Sequence, residues 1–497
     1  MQTAYGKYGG KEMYTQLGEQ KRSPGATGHL VNNNTIVDSG MGLVNNKKDE
    51  NYFPVAPQKP VDLIIVTHSH LDHCGNLPTI AKNNPNAVIL MTQPGVAGTY
   101  IILNDALKIN IQDQKNAEKE GGGAKPLPYN RKDIYEVFRR IHPIPKPGWC
   151  SVGSNRIGFY SSGHMRGAAM IFLIPKKGPA YFFTGDISSH DQPLVKGVML
   201  PPKEFFGDEL KEKSIVMVTE TTYGNRALPK PMPELQKDFQ ALMKQTAQKR
   251  IQSFLPSFAT KGPDVIQLLI DAGIIPHVDG LIQDFCQMYA KNTWCEQDIA
   301  FKLKEFVAKK LVILYKKLDG SSPQEEHENE ERHRIETALG NCCGLSYPSP
   351  IVSSSAMLDK GRSVQHAERI LPNRKATVVF TGHMFPGSVG EEVLRIEKGR
   401  TVKLNTWDSN LRKNIEKQVP VSCEVEHFGL SGHDEGPKLL ERVARFQELC
   451  PKLGAELLAV IGHHGDDENY AGFERGVNAL GLGIPVFHGE HLKEIRL

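Results

Sequence analysis

The stretch VDLIIVTHSHLDHCGN, residues 61–76, decides how the rest of the chain is read. Residues 61–67 form a nearly continuous apolar run, which suits a short strand buried on both faces rather than an alternating, half-wet one. Directly after it, four ligand-type side chains are packed as His68-x-His70-x-Asp72-His73, so one tight turn can present all four together. Imidazole nitrogen and carboxylate oxygen are ligands that zinc prefers, at about 2.0–2.2 Å. The bland alternative is a chance cluster of polar turn residues, and three histidines with an aspartate in so short a span argue against it. Four ligands from one turn cannot close two metal shells, so further ligands must come from other strand ends.

The sequence supplies such ends. Residues 27–38 (TGHLVNNNTIVD) read as strand and lead to Asp38, 157–161 (IGFYS) precede His164 in SSGHMRGAAM, and 180–184 (AYFFT) precede Asp186 in FTGDIS. Glycines beside His164 and Asp186 let the backbone approach an ion closely. A third apolar run, 214–219 (SIVMVT), ends at Glu220. Taken singly, His164 could be a structural histidine, and Asp38, Asp186 and Glu220 ordinary strand-end caps.

Between the strands, 96–120 and 131–141 have helical periodicity and flank the Gly/Pro-rich loop at 121–130. Beyond Tyr223 the composition shifts to lysine-rich helical segments, which marks a domain boundary. The lysines between 302 and 317 read as the wet face of an amphipathic helix, and the charge run 323–335 as solvated chain.

A chain of 497 residues exceeds what one core usually serves, so two domains or one large insertion is expected. Apolar residues at 39% and charged residues at 23% exclude general disorder. A formal charge of +4 is too small to argue for or against nucleic acid, because such a surface is basic locally. The eight cysteines form no CxxC pair, so reduced, mostly buried thiols are expected. With no apolar leader and no run of about 18 apolar residues, a cytoplasmic location and no membrane partner are expected.

On these residues the chain resembles the beta-CASP nucleases of the metallo-β-lactamase superfamily. Asp38 matches the first motif, HSHLDH the second, His164 the third and Asp186 the fourth. Glu220 in TETTYGNR matches motif A, His433 in FGLSGHDEG resembles motif B (Ser-Ala-His-Ala/Thr-Asp), and His464 in IGHHGDDE resembles motif C. LPSFATKGPD (255–264), SSSAMLDKGRSVQH (353–366) and VVFTGHMFPGSVG (378–390) follow the cassette pattern between them. Departures are Asp466 for the usual Glu of motif C, Lys261-Gly262 for Gly-Arg, Ala356 for Gly and His383 for Tyr; most touch the cassette rather than the ligands.

The resemblance implies an α/β fold, a metallo-β-lactamase αββα sandwich of residues 1–223 and 424–497 with an inserted α/β beta-CASP domain at 224–423 and the active site in the cleft between them. It implies two zinc ions, one on His68, His70 and His164, the other on Asp72, His73 and His464, bridged by Asp186. His433, oriented by Glu220, is then expected either to protonate the leaving oxygen or to bind a phosphate oxygen, and Asp38 to fix a ligand tautomer. His463 and His488 are expected to stand outside the site, although HGE at 488–490 copies motif C. The implied activity is hydrolysis of single-stranded RNA, as an endonuclease that could also act as a 5′ exonuclease, with a homodimer one option for assembly. A DNA-directed or small-molecule hydrolase on the same fold is the alternative enzyme reading, and an inactive scaffold the non-enzymatic one.

Overall fold

The computed structural model describes residues 12–18, 25–42, 53–54, 56–119, 126–301, 348–408, 413–489 and 494–496. The lysines from 302 to 317, the charge run 323–335, and Cys342 and Cys343 lie outside the described residues. Cys74, Cys286, Cys423 and Cys450 are buried free thiols, whereas Cys150 and Cys295 are half-buried free thiols.

Continuous apolar strands need cover on both faces, and two sheets sandwiched between helices provide it. Among the described residues one seven-stranded sheet runs Glu494–Arg496, Glu12–Gln16, Gly28–Val31, Thr35–Ser39, Leu63–Ile65, Val88–Thr92, Ile141–Ile144. The other runs Val486–His488, Glu456–His463, Ser214–Glu220, Ala180–Phe183, Ala169–Ile174, Asn155–Ser161, Gly148–Val152. Leu63 and Ile65 face the inter-sheet core with Phe159, Ile171, Val216, Val218 and Ile461. Ile64 and Val66 face the outer layer with Leu77 and Ile80 of helix Leu77–Asn83. Ile215 and Met217 likewise turn outward onto Val443 and Phe446 of helix Gly436–Leu449. The period of two is intact; both faces are dry, so sequence alternation vanishes.

Several strands differ from expectation. The stretch 27–38 is a hairpin, not one strand: Asn32 and Asn33 take positive φ (49° and 57°) and reverse the chain, a conformation asparagine tolerates. The helix from Arg131 ends at Arg140, and Ile141 opens a strand through His142-Pro143, because the residue before a proline avoids helical backbone. Strands Val88–Thr92, Gly148–Val152 and Ala169–Ile174 carried no distinct signal among neighbouring apolar runs.

The chain divides into two compact units, residues 1–229 with 292–298 and 432–497, and residues 230–291 with 299–431. These units meet at 229/230 and 431/432, a few residues from the expected domain junctions at 223/224 and 423/424, and the segment 292–298 packs with the first unit. The second unit is built on a parallel sheet in the order His277–Asp279, Ile351–Ser353, Gln252–Pro256, Ala376–Phe380, Glu424–His427, with a separate hairpin Thr401–Asp408/Lys413–Pro420.

Segment 292–298 is anchored chemically. Trp294 enters the inter-sheet core and donates its indole N–H to the Ile144 carbonyl at 3.0 Å. Asp298 accepts the Trp294 amide at 2.6 Å and lies 3.6 Å from Arg166 Nε, both side chains being buried. Burial raises the Asp298 carboxyl above its ordinary pKa although Arg166 opposes it. Asp298→Ala strands the Arg166 cation and is expected to cost about 3–5 kcal/mol of unfolding free energy in denaturant titration. Asp298→Ala combined with Arg166→Met should cost clearly less; equal losses would show that the charge pair is not what anchors the segment.

Candidate metal centre

Each functional side chain leaves the end of a strand or the turn after it. Thr67 is the pivot of the first turn: its N–H and its hydroxyl donate to the two Asp38 oxygens at 2.7 Å each. Asp38 sits at φ 60°, a left-handed conformation that a non-glycine residue keeps only where surroundings enforce it. Its Oδ2 also accepts His73 Nδ1–H at 2.8 Å, which fixes the ring and turns Nε2 toward Asp186 Oδ1. His70 opens the short helix Leu71–Cys74 that carries Asp72 and His73. Gly185, at φ +54°, brings the strand end so close to Thr67 that an added Cβ would lie 3.0 Å from the Thr67 side chain.

The ligand atoms form two groups around Asp186. Asp186 Oδ2 lies 3.2 Å from His68 Nε2, 3.8 Å from His70 Nδ1 and 3.6 Å from His164 Nε2. Asp186 Oδ1 lies 3.2 Å from His73 Nε2 and 3.8 Å from His464 Nε2, and Asp72 Oδ2 is 3.0 Å from His464 Nε2 and 4.0 Å from His73 Nε2. Tetrahedral ligands at about 2.1 Å from an ion stand roughly 3.4 Å apart, which matches this spread. His68 Nε2, His73 Nε2 and both Asp186 oxygens are buried without a hydrogen bond. Buried polar atoms are ordinarily paired, so this convergence fits a cation-binding centre. The residues present therefore fit a divalent metal centre.

The remaining imidazole nitrogens have donors' work. His164 Nδ1–H donates to the Gly432 carbonyl at 2.7 Å, and His464 Nδ1–H to Thr222 Oγ1 at 3.0 Å. His433 Nδ1–H donates to Glu220 Oε2 at 2.8 Å, and its Nε2 is 3.9 Å from Asp186 Oδ2. Glu220 also accepts the Ile187 amide on Oε1 at 2.7 Å and the Thr222 hydroxyl on Oε2. Glu220, His433, His464 and Asp186 lie close enough to form a third ligand-type group. Both Glu220 oxygens thus already accept from protein donors, Ile187 on one and Thr222 and His433 on the other.

Charge follows from this packing. Burial would raise Asp186, but His464, His73, His68 and His433 hold it well below the carboxylate range. Burial would lower His464, yet Asp186 and Asp72 raise it to about 9, and Asp186 and Asp38 raise His73 well above its ordinary value. His433 is raised against burial by Glu220 and Asp186. Burial, reinforced by His73, takes His68 down to about 4, and burial with His433 takes His164 well below its ordinary value.

All ten residues singled out from the sequence lie in this constellation. His463 and His488 belong to none of the ligand groups among the described residues. His463 is buried edge-on to His29, ring centroids 4.7 Å apart, and His488 stacks on Tyr470 at 3.9 Å. Asp466, the departure in motif C, caps helix Asp467–Ala479 by accepting the Asn469 amide at 2.8 Å. Sequence reasoning missed Thr222, which links Glu220 to His464 and was legible within TETTYGNR; it also missed Asp434, a departure within the motif B stretch, and Arg442, which carries no motif signal.

Two family models match the chain: the metallo-β-lactamase superfamily over residues 30–152 and the Beta-Casp domain over residues 271–393. An endoribonuclease of Candida albicans is 25% identical over 84% of this chain and 46% of its own length. A ribonuclease of Thermus thermophilus is 22% identical over 91% of this chain and 94% of its own. A transcription termination factor of Methanocaldococcus jannaschii is 23% identical over 90% and 65%. The chain thus spans about half of the fungal relative and nearly all of the bacterial one. A crystal structure of a protein of unknown function from Enterococcus faecalis superposes with a TM-score of 0.54 at 11% identity, over 98% of this chain and 100% of that one, a likeness of fold alone.

Fold, site and matched models together define a metallo-β-lactamase-class protein with a divalent-metal centre. Within that superfamily the matched Beta-Casp domain and the similarity to the ribonucleases of Candida albicans and Thermus thermophilus support the beta-CASP family.

Because His73 and His464 hold protons when no cation is bound, a metal ion must displace them. His464 titrates near pH 9, so affinity for a divalent cation should weaken as pH falls from there toward the ordinary histidine range near about 6.5. Zinc titration calorimetry in buffers of different ionisation enthalpy should register proton release; pH-independent binding without release would contradict this charge distribution.

Proposed function

We propose that the chain is a zinc-dependent ribonuclease that hydrolyses phosphodiester bonds of single-stranded RNA, cutting internally. Two zinc ions are assigned, one to His68, His70 and His164 and one to Asp72, His73 and His464, with Asp186 shared between them. The observation that carries the reading is the division of Asp186, one oxygen toward each histidine group, with His433 Nε2 on the same side. The ribonuclease names of the fungal and bacterial relatives support RNA as the substrate class.

Bound there, a pair of divalent ions supplies an acidified water and neutralises charge on the phosphoryl oxygens. The chain's own residues do the rest. His433, held charged by Glu220, presents Nε2–H to the leaving oxygen and protonates it as the phosphorus–oxygen bond breaks. Glu220 keeps the ring oriented through Nδ1, and Thr222 shares that carboxylate while receiving His464 Nδ1–H, tying acid and ligand together. Asp38 and the Gly432 carbonyl set the tautomers of His73 and His164.

With zinc-loaded protein, single-stranded RNA should be cleaved faster than DNA of the same sequence, with activity lost on chelation and weakened by salt through competition at phosphates. Equal or faster cleavage of DNA would redirect the substrate assignment. His433→Ala should lower the RNA rate by about 10²–10⁴-fold with zinc content retained. His464→Ala should weaken one zinc site and recover partly with added zinc. Loss of a zinc ion in His433→Ala would mean that His433 is a ligand and that the role given to it is wrong.

A further inference from the structure

Directly after His433 stands Asp434, where the motif pattern quoted above has Ala or Thr. Its side chain is fully buried and accepts three hydrogen bonds: the Ser189 amide at 2.5 Å and hydroxyl at 2.7 Å on Oδ1, and Arg442 Nη2 at 2.5 Å on Oδ2. Arg442, on helix Gly436–Leu449, is also fully buried and spends Nη1 on the Val198 carbonyl at 3.0 Å. The Asp434 amide donates to the Ile187 carbonyl at 2.8 Å.

These contacts close a ring. Ile187 N–H donates to Glu220 Oε1, and Glu220 Oε2 accepts His433 Nδ1–H. His433 is therefore gripped twice by the loop that follows Asp186, once through its ring by way of Glu220 and once through the next peptide. The Asp434 carboxylate pins that same loop at Ser189 and fastens both pieces to the helix through Arg442. A charge pair without solvent access fixes geometry more firmly than it stabilises, since apolar replacement of both partners is often neutral while loss of one is not.

We propose that the Asp434–Arg442 pair is a positioning element for His433, setting the distance from the acid to the Asp186 centre; this rests on the general-acid role proposed above. The expected consequence is selective. Proton donation matters for a poor leaving group such as a ribose oxygen and little for a 4-nitrophenolate, which departs without a proton.

The test compares zinc-loaded wild type with the Asp434→Ala/Arg442→Met double variant on RNA and on bis(4-nitrophenyl) phosphate, with zinc content and melting temperature measured on both. Asp434→Asn, which keeps the shape and an oxygen for Arg442, is carried alongside and decides the matter if the double variant does not fold. Either variant should keep its zinc, lose about tenfold to 10²-fold in kcat on RNA with little change in KM, and cleave the aryl ester within a fewfold of wild type. Equal losses on both substrates, or loss of zinc, would show a purely structural pair and overturn the proposal. Unchanged RNA turnover would overturn it while leaving the function intact. If wild type itself cleaves neither substrate, the functional reading fails first and the positioning role falls with it.

Discussion

A carboxylate buried without a hydrogen bond is among the costliest things a protein interior can hold. Asp186 is such a group, and the architecture around it supplies positive charge in place of donors: imidazoles of His68, His70, His73, His164, His433 and His464 all approach within 4 Å of its two oxygens. Its field raises the pKa values of His73, His433 and His464 against their burial. Divalent ions at the same place would balance it better, because each replaces shared protons by ligand bonds. The site is thus poised for metal by the cost of its own carboxylate.

That arrangement needs chain segments far apart in sequence brought to one rim, which is what the sandwich does. Strands ending at Ile65, Ser161, Phe183 and His463 release the ligand side chains just beyond the dry core, and the strand ending at Glu220 presents the carboxylate that holds His433. The turns are strained where aim matters most: Asp38 and His464 both have left-handed backbones, at φ 60° and 57°. Asp38 repays this by holding Thr67 and His73 together, and His464 by reaching Asp72 and Thr222 at once.

Much of this was legible in the sequence because metal chemistry restricts residue types severely. Three histidines and an aspartate after an apolar run admit few explanations, and the remaining motifs then fall into order. Strands were less legible, since a sheet covered on both faces loses its alternation: Ala169–Ile174 is uniformly buried and reads like any core segment. The return of residues 292–298 to the first unit had no local signature, because Trp294 and Asp298 reveal their partners only in three dimensions. Asp434 and Arg442 escaped for the same reason; a buried ion pair joins residues whose spacing says nothing about burial.

The central claim is that one buried carboxylate organises two metal positions. Metal analysis by mass spectrometry on zinc-reconstituted wild type and Asp186→Ala, each verified as folded, addresses it directly. About two zinc ions per chain in wild type, falling to one or fewer in the variant, is the predicted result. Fewer than one ion in wild type, or two retained in Asp186→Ala, would contradict the account.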